Sequence, residues 1–137
     1  QLKKVEEILN VENLGNVKID QLDKKKFDDL LIYKRALHVV TENQRTKDAK
    51  NFMLKQDMKQ FGHLMNLSHI SYSQDFEAST KDVDLLVKRS IESGALGCRL
   101  TGGGFGGFTV SLIAKKDYEQ WYNNMSKYYS RENFFKV

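Results

Sequence analysis

Hydrophobic positions along the chain fall first into helical and then into strand-like periods. Leu2, Val5, Ile8 and Leu9 share one face of a short helix, and the Asn13–Asn16 region, with Gly15, is its exit. A second helix is predicted from about Asp23 to about Val39, with Phe27, Leu30, Leu31 and Leu37 turned inward. Asn43 then marks a break, unless the polar residues around it form an exposed helical stretch. From Lys47 the helical period resumes through Ala49, Phe52 and Met53, and Met58, Phe61, Leu64 and Met65 continue it with small shifts in phase. Gly62 inside this run lowers helix propensity by ~1 kcal/mol relative to Ala, so close packing or a local break is predicted there. The segment Ser68 to Ser79 loses the period and reads as a loop. The clearest helix follows, with Val83, Leu86, Val87, Ser90 and Ile91 on one face, Ser79 and Asp82 as its cap and Gly94 as a left-handed exit.

Beyond Gly94 the period changes to two. Leu96, Cys98 and Leu100 alternate with Gly97, Arg99 and Thr101, and Phe108, Val110 and Leu112 alternate with Thr109, Ser111 and Ile113. These two runs are predicted to pair as antiparallel strands. Tyr118, Trp121, Tyr122, Met125 and Tyr129 then mark an aromatic-faced helix, whose period favours core burial over a stacking platform for bases. Phe134, Phe135 and Val137 propose a final strand. The order of elements is most of a ferredoxin-like α+β unit, an antiparallel sheet packed with helices, that lacks only its first strand. That strand is expected upstream of the clear helix or outside the chain.

Composition narrows the classes. With 137 residues, 40% hydrophobic and 29% charged, the chain suits one folded domain rather than a disordered tail. The net charge of +4 is spread along the sequence, and its densest run, Lys24–Lys26, is bracketed by Asp23 and by Asp28 and Asp29. No nucleic acid partner is expected from so weak a footprint. No apolar stretch reaches the ~18 to 20 residues that span a bilayer, so no membrane partner is expected either. Cys98 is the single cysteine, which cannot staple the fold or complete a cysteine zinc cluster, and a reducing cytosol is the expected compartment. His38, His63 and His69 lack metal-ligand spacing and read as structural. The chain begins with Gln1 rather than Met, and it is read as part of something longer.

The most informative stretch is Thr101-Gly102-Gly103-Gly104-Phe105-Gly106-Gly107. Five glycines in six positions cost backbone entropy, so the stretch reads as a site of close backbone approach, either a tight connection or a ligand-facing loop. Exposed amides in such a nest can hold phosphate. No G-K-[ST] follows, however, and the loop joins two strands where a P-loop joins a strand to a helix. Phe105 is expected to anchor the loop in the core. Arg99, which shares a strand face with Thr101 near the loop, either aids anion binding or solvates the outer sheet face.

Four ordered blocks carry a resemblance. Gly97-Cys-Arg-Leu-Thr-Gly-Gly-Gly-Phe-Gly-Gly107 resembles the third conserved motif of galactokinases in the GHMP kinase superfamily. Arg35-Ala-Leu-His-Val-Val-Thr-Glu-Asn-Gln-Arg45, Phe61-Gly-His-Leu-Met65 with Ser68-His69, and Asp75-Phe-Glu-Ala-Ser79 are similar to the family's other signatures in the same order. Phe108 departs from a common cysteine and Cys98 from a common alanine, while Phe105 is unlike the N-acetylgalactosamine kinases, which often carry an alanine and a tryptophan in this motif. The resemblance implies one GHMP kinase C-terminal domain over 1–137, with a helical lead-in over 1–45 and the main α+β unit over 46–137. It implies ATP and Mg²⁺ as cofactors, D-galactose as acceptor and an N-terminal kinase domain as partner that holds the catalytic aspartate and most ligand contacts. No catalytic residue and no metal ligand is therefore expected in this chain. Gly103, Gly104, Gly106 and Gly107 would shape the wall near the phosphates or support the opposing nucleotide loop. His38, Glu42 and Arg45, at i, i+4 and i+7, are expected to form a structural polar network rather than a ligand site. Rival readings are a non-catalytic galactose-responsive regulator, an N-acetylgalactosamine kinase and a free-standing interaction module.

Overall fold

The computed structural model describes all residues from Gln1 to Val137. Its elements run α1 (Leu2–Leu9), α2 (Leu30–Leu54), α3 (Met58–Gln74), α4 (Lys81–Glu92), β1 (Gly97–Thr101), β2 (Phe108–Leu112) and α5 (Tyr118–Met125), with short 3₁₀ turns between. α1 stops at Asn10, which takes the left-handed conformation at φ 53°. The following turns fold Leu14, Val17, Leu22 and Phe27 onto Val5 of α1 and onto Ile32, Ala36 and Val40 of α2.

The second helix differs from its expectation at both ends. Asp23 accepts from the Lys25 N–H and closes a single 3₁₀ turn, and Asp29 then accepts from the Leu31 N–H to start α2 seven residues later than expected. Leu30, predicted inward, is 52% exposed. α2 runs unbroken through Asn43, whose side-chain amide donates to the Leu14 carbonyl. The segment expected as a loop from Ser68 is helical up to Gln74, with Ser68, His69 and Ser71 buried. Ser68 and Ser71 face α2 and His69 faces β1, so the inward side of α3 lacks the hydrophobic period that marks a helix.

α4 begins at Thr80, whose hydroxyl accepts from the Val83 N–H, in place of the expected Ser79 cap. Gly94, at φ 113°, makes the predicted left-handed exit. β1 and β2 pair antiparallel, with Cys98 opposite Ser111 and Leu100 opposite Thr109. Cys98 and Leu100 pack on Val83 and Val87 of α4, and Trp121 and Met125 of α5 pack with Ala95. A buried polar chain ties these layers: the Trp121 indole donates to Ser90, Ser90 to Ser111, and Ser111 to the Cys98 sulfur. The architecture is α+β, a small antiparallel sheet packed against helices.

The sheet has two strands. Phe134 turns back onto Trp121 and Tyr122 after a 3₁₀ turn, so the expected final strand does not form. At the other edge no strand lies beside β1. α3 lies there instead: Asn66 Oδ1 accepts from the Cys98 N–H at 2.9 Å and His69 Nδ1 from the Leu100 N–H at 3.3 Å. The helix side chains supply the acceptors that a neighbouring strand would otherwise bring. Close packing rather than a break explains Gly62, since a Cβ there would stand 2.5 Å from the Leu96 carbonyl oxygen and one on Gly97 2.3 Å from that of Gly62.

Candidate functional site

β1 and β2 deliver the two ends of the glycine loop to one edge of the domain. Gly102, Gly104, Gly106 and Gly107 all have positive φ, and so does Phe105 at 59°. Gly104 is the point of closest approach: a Cβ there would lie 2.7 Å from the Ala78 carbonyl oxygen and 2.9 Å from the Tyr72 hydroxyl. The Phe105 N–H donates to that same Ala78 carbonyl at 2.8 Å. The Phe105 ring is 75% exposed, so the loop is anchored by a backbone bond and not by the ring as expected. Cβ atoms on Gly103, Gly106 or Gly107 would meet nothing within 4 Å. The N–H groups of Gly103, Gly104, Gly106 and Gly107 find no backbone acceptor within the chain. These amides are donors left available to an anion.

The wall behind the loop comes from α3 and from the segment that follows it. Tyr72 and Phe76 pack with the His38 ring, at 5.4 and 4.8 Å between centroids. Arg35 donates to the Asp75 carbonyl and pairs with Glu77 at 3.0 Å, which fixes the stretch that presents Ala78. Ser71 gives its proton to Asp75, so the His38 contact to Ser71, at 3.1 Å, is a donation from Nδ1–H. Burial holds His38 below its ordinary pKa of 6.5.

His38, Glu42 and Arg45 share one side of α2, but they divide between two groups. His38 joins the aromatic wall, whereas Glu42 takes Arg45 on one oxygen and the Ser68 hydroxyl on the other, with Arg99 at 3.6 Å. Burial alone would raise the Glu42 pKa. The Ser68 and Arg45 hydrogen bonds and the Arg45 and Arg99 charges outweigh it and hold the carboxyl below its ordinary value. Arg99 thus pairs within the domain, beside a cleft of about 270 Å³ lined by Phe61, Leu64, Met65, Val110 and Leu112. His63 is exposed. No group of three His, Cys, Asp or Glu is placed to hold a metal ion. Sequence reasoning missed Asn66 and Tyr72, whose partners on β1, α2 and the glycine loop lie far away in the chain, and Asp84, whose partners Ser79, Ser73 and His69 precede it on other elements. The available signal was the run of polar residues on α3, too polar for an inward face that packs by hydrophobic contact alone.

Residues 49–131 match the family described as GHMP kinases C terminal. The chain belongs to this family. Among curated proteins, the domain is 39% identical over 132 residues to the galactokinase of Levilactobacillus brevis, covering 93% of this chain and 34% of that one. It is 39% identical over 127 residues to the galactokinase of Fusobacterium nucleatum, covering 90% and 33%. Among solved structures it superposes on Lactococcus lactis galactokinase complexed with galactose with a TM-score of 0.83 and 31% identity, over 92% of this chain and 33% of that one. This GHMP kinase domain is therefore closely related to bacterial galactokinases, and it spans about a third of the length of the relatives it matches.

Proposed function

We propose that this domain is the C-terminal part of a galactokinase and works with an N-terminal kinase domain to phosphorylate D-galactose to galactose 1-phosphate. The observation that carries the reading is the glycine loop, with its free amides at Gly103, Gly104, Gly106 and Gly107 and the Ala78 and Tyr72 wall behind it. Donors fixed before the reaction suit phosphoryl transfer, where positioning and charge stabilisation do most of the work. Those four amides fit phosphate oxygens, and ATP when bound supplies the phosphoryl group. The domain brings no group of three His, Cys, Asp or Glu together, and no step is assigned to Mg²⁺ on its residues. Neither is a proton transfer assigned to any side chain of this domain. Its contribution is to hold the loop backbone still, with Gly104 pressed on Ala78 and Phe105 hydrogen-bonded to it. A buried lone thiol at Cys98 suits a reducing cytosol, where we place the protein.

Gly103→Ala in the longer kinase tests the reading, because a Cβ at Gly103 meets nothing within this domain. Stability is expected within about 0.5 kcal/mol of the parent, as for a substitution free of buried contacts. KM for ATP is expected to rise about tenfold, corresponding to ~1.4 kcal/mol of lost binding, with KM for galactose little changed. Unchanged kinetics would remove the loop from the phosphate wall, and a parent enzyme without galactose-dependent ADP release would remove the activity itself. The 137-residue domain alone is expected to show no such turnover.

A further inference from the structure

Leu100 stands two residues before the glycine loop, and its backbone N–H points away from β2 to His69 Nδ1 at 3.3 Å. Since Nδ1 accepts, the neutral ring carries its proton on Nε2. That nitrogen is buried 3.1 Å from Asp84 Oδ1, out of line for a full hydrogen bond, and it has no other partner in the chain. Asp84 is a junction. Its Oδ1 also accepts from the Ser79 hydroxyl at 2.6 Å, and its Oδ2 accepts from Ser73 at 2.8 Å. Ser79 directly follows Ala78, whose carbonyl receives the Phe105 N–H in the middle of the loop. One histidine and one aspartate thus reach both supports of the loop: the incoming strand at Leu100, and the Ala78 wall through Ser79.

We propose that His69 and Asp84 are positioning residues for the glycine loop, a relay from α3 to α4 that holds strand and wall at one fixed separation. Neither side chain lies in the loop, and the relay acts through backbone groups at Leu100 and Ala78. A pair that merely filled space between α3 and α4 would stabilise the whole domain alike. The relay instead couples two backbone groups far apart in sequence, the Leu100 N–H and the Ala78 carbonyl, that support the same loop. Its consequence for catalysis rests on the galactokinase reading, but the coupling itself does not.

Amide hydrogen exchange, followed by NMR in the 137-residue chain, reads the coupling directly. Asp84→Asn is expected to speed exchange at both Leu100 and Phe105 by about tenfold while Val87 and Trp121 change less than about twofold, the mark of local opening. Ser79→Ala removes a single hydroxyl from a half-buried position and keeps the test open if Asp84→Asn folds poorly; it is expected to speed Phe105 in the same way. Combined with His69→Gln, either variant is expected to be non-additive at Phe105, as for residues in one network. A uniform rise across α4 and α5, a response confined to Leu100, or strict additivity would overturn the relay. In the longer kinase, Asp84→Asn is expected to raise KM for ATP about fivefold and leave KM for galactose within about twofold. An active kinase with unchanged KM for ATP would overturn the positioning role. A parent kinase with no galactose-dependent turnover would sink the functional reading, while the exchange data would still decide the relay.

Discussion

His38 and His69 are both buried, and both are held below the ordinary pKa of 6.5, chiefly because burial penalises the charged ring. Nearby Asp75 and Glu42 for His38, and Asp84 for His69, pull the other way, and Arg99 adds to the lowering in each case. With folded values below the unfolded one, the unfolded chain takes up more protons as pH falls. Stability is therefore fully present above 6.5 and is lost as pH drops through that value toward the folded pKa values. Glu42, also held low, adds a further loss at more acid pH, below its own ordinary 4.5. The urea midpoint is accordingly expected to fall between pH 7.5 and pH 5, a range about the ordinary His value. His38→Asn should flatten that slope even as it lowers the plateau, and His63→Asn, at an exposed position, controls for the substitution itself. A midpoint that stays constant over this range would contradict the burial account.

At the scale of elements, the contact between α3 and β1 decides most. Gly62 and Gly97 meet backbone to backbone, so neither position has room for a methyl group. Gly62→Ala would gain about 1 kcal/mol in helix propensity, yet overpacking against Leu96 is expected to leave the domain less stable by about 2–3 kcal/mol. Chemical denaturation with an unchanged m value would check it, and a more stable variant would refute the close approach. α4, β1 and α5 were legible in the sequence because each buries a regular apolar stripe, such as Val83 with Val87 or Cys98 with Leu100, whereas β2 was legible by its alternation alone, since its Phe108 and Val110 are exposed. α2 and α3 were legible only in part. They meet through His38, Glu42, Ser68 and Ser71, and a polar seam satisfied between two helices looks like a loop in one dimension. The glycine loop announced itself by composition, whereas its supports at Tyr72 and Ala78 depended on contacts across more than 25 residues that no local period records. Phe105 was misjudged for the same reason: its amide, and not its ring, makes the anchoring contact.

Across the whole molecule the apolar interior is divided. One cluster joins α1, the turns after it and the first half of α2 around Val5, Ala36 and Val40; the others gather around Cys98 and Leu100 and around Trp121 and Met125. α2 and α3 connect these regions through polar groups, which couple them less tightly than continuous hydrophobic packing would. Hydrogen exchange in mild urea is expected to open α1 and the Leu14–Phe27 turns before the Trp121 fluorescence transition begins; coincident opening would mean a single cooperative unit. The contact of α3 with β1 also acts as a ruler. From Gly62 to His69 the helix climbs seven residues at about 1.5 Å each, and from Gly97 to Leu100 the strand advances three at about 3.3 Å. Two scales of different graduation thus span nearly the same ten ångströms or so, and Asn66 falls beside Cys98 between their ends. Adding one residue to α3 inside that span would turn everything beyond it by about 100° and carry His69 off the strand. Surface positions on this helix can change freely, but its count of residues from Gly62 to His69 cannot.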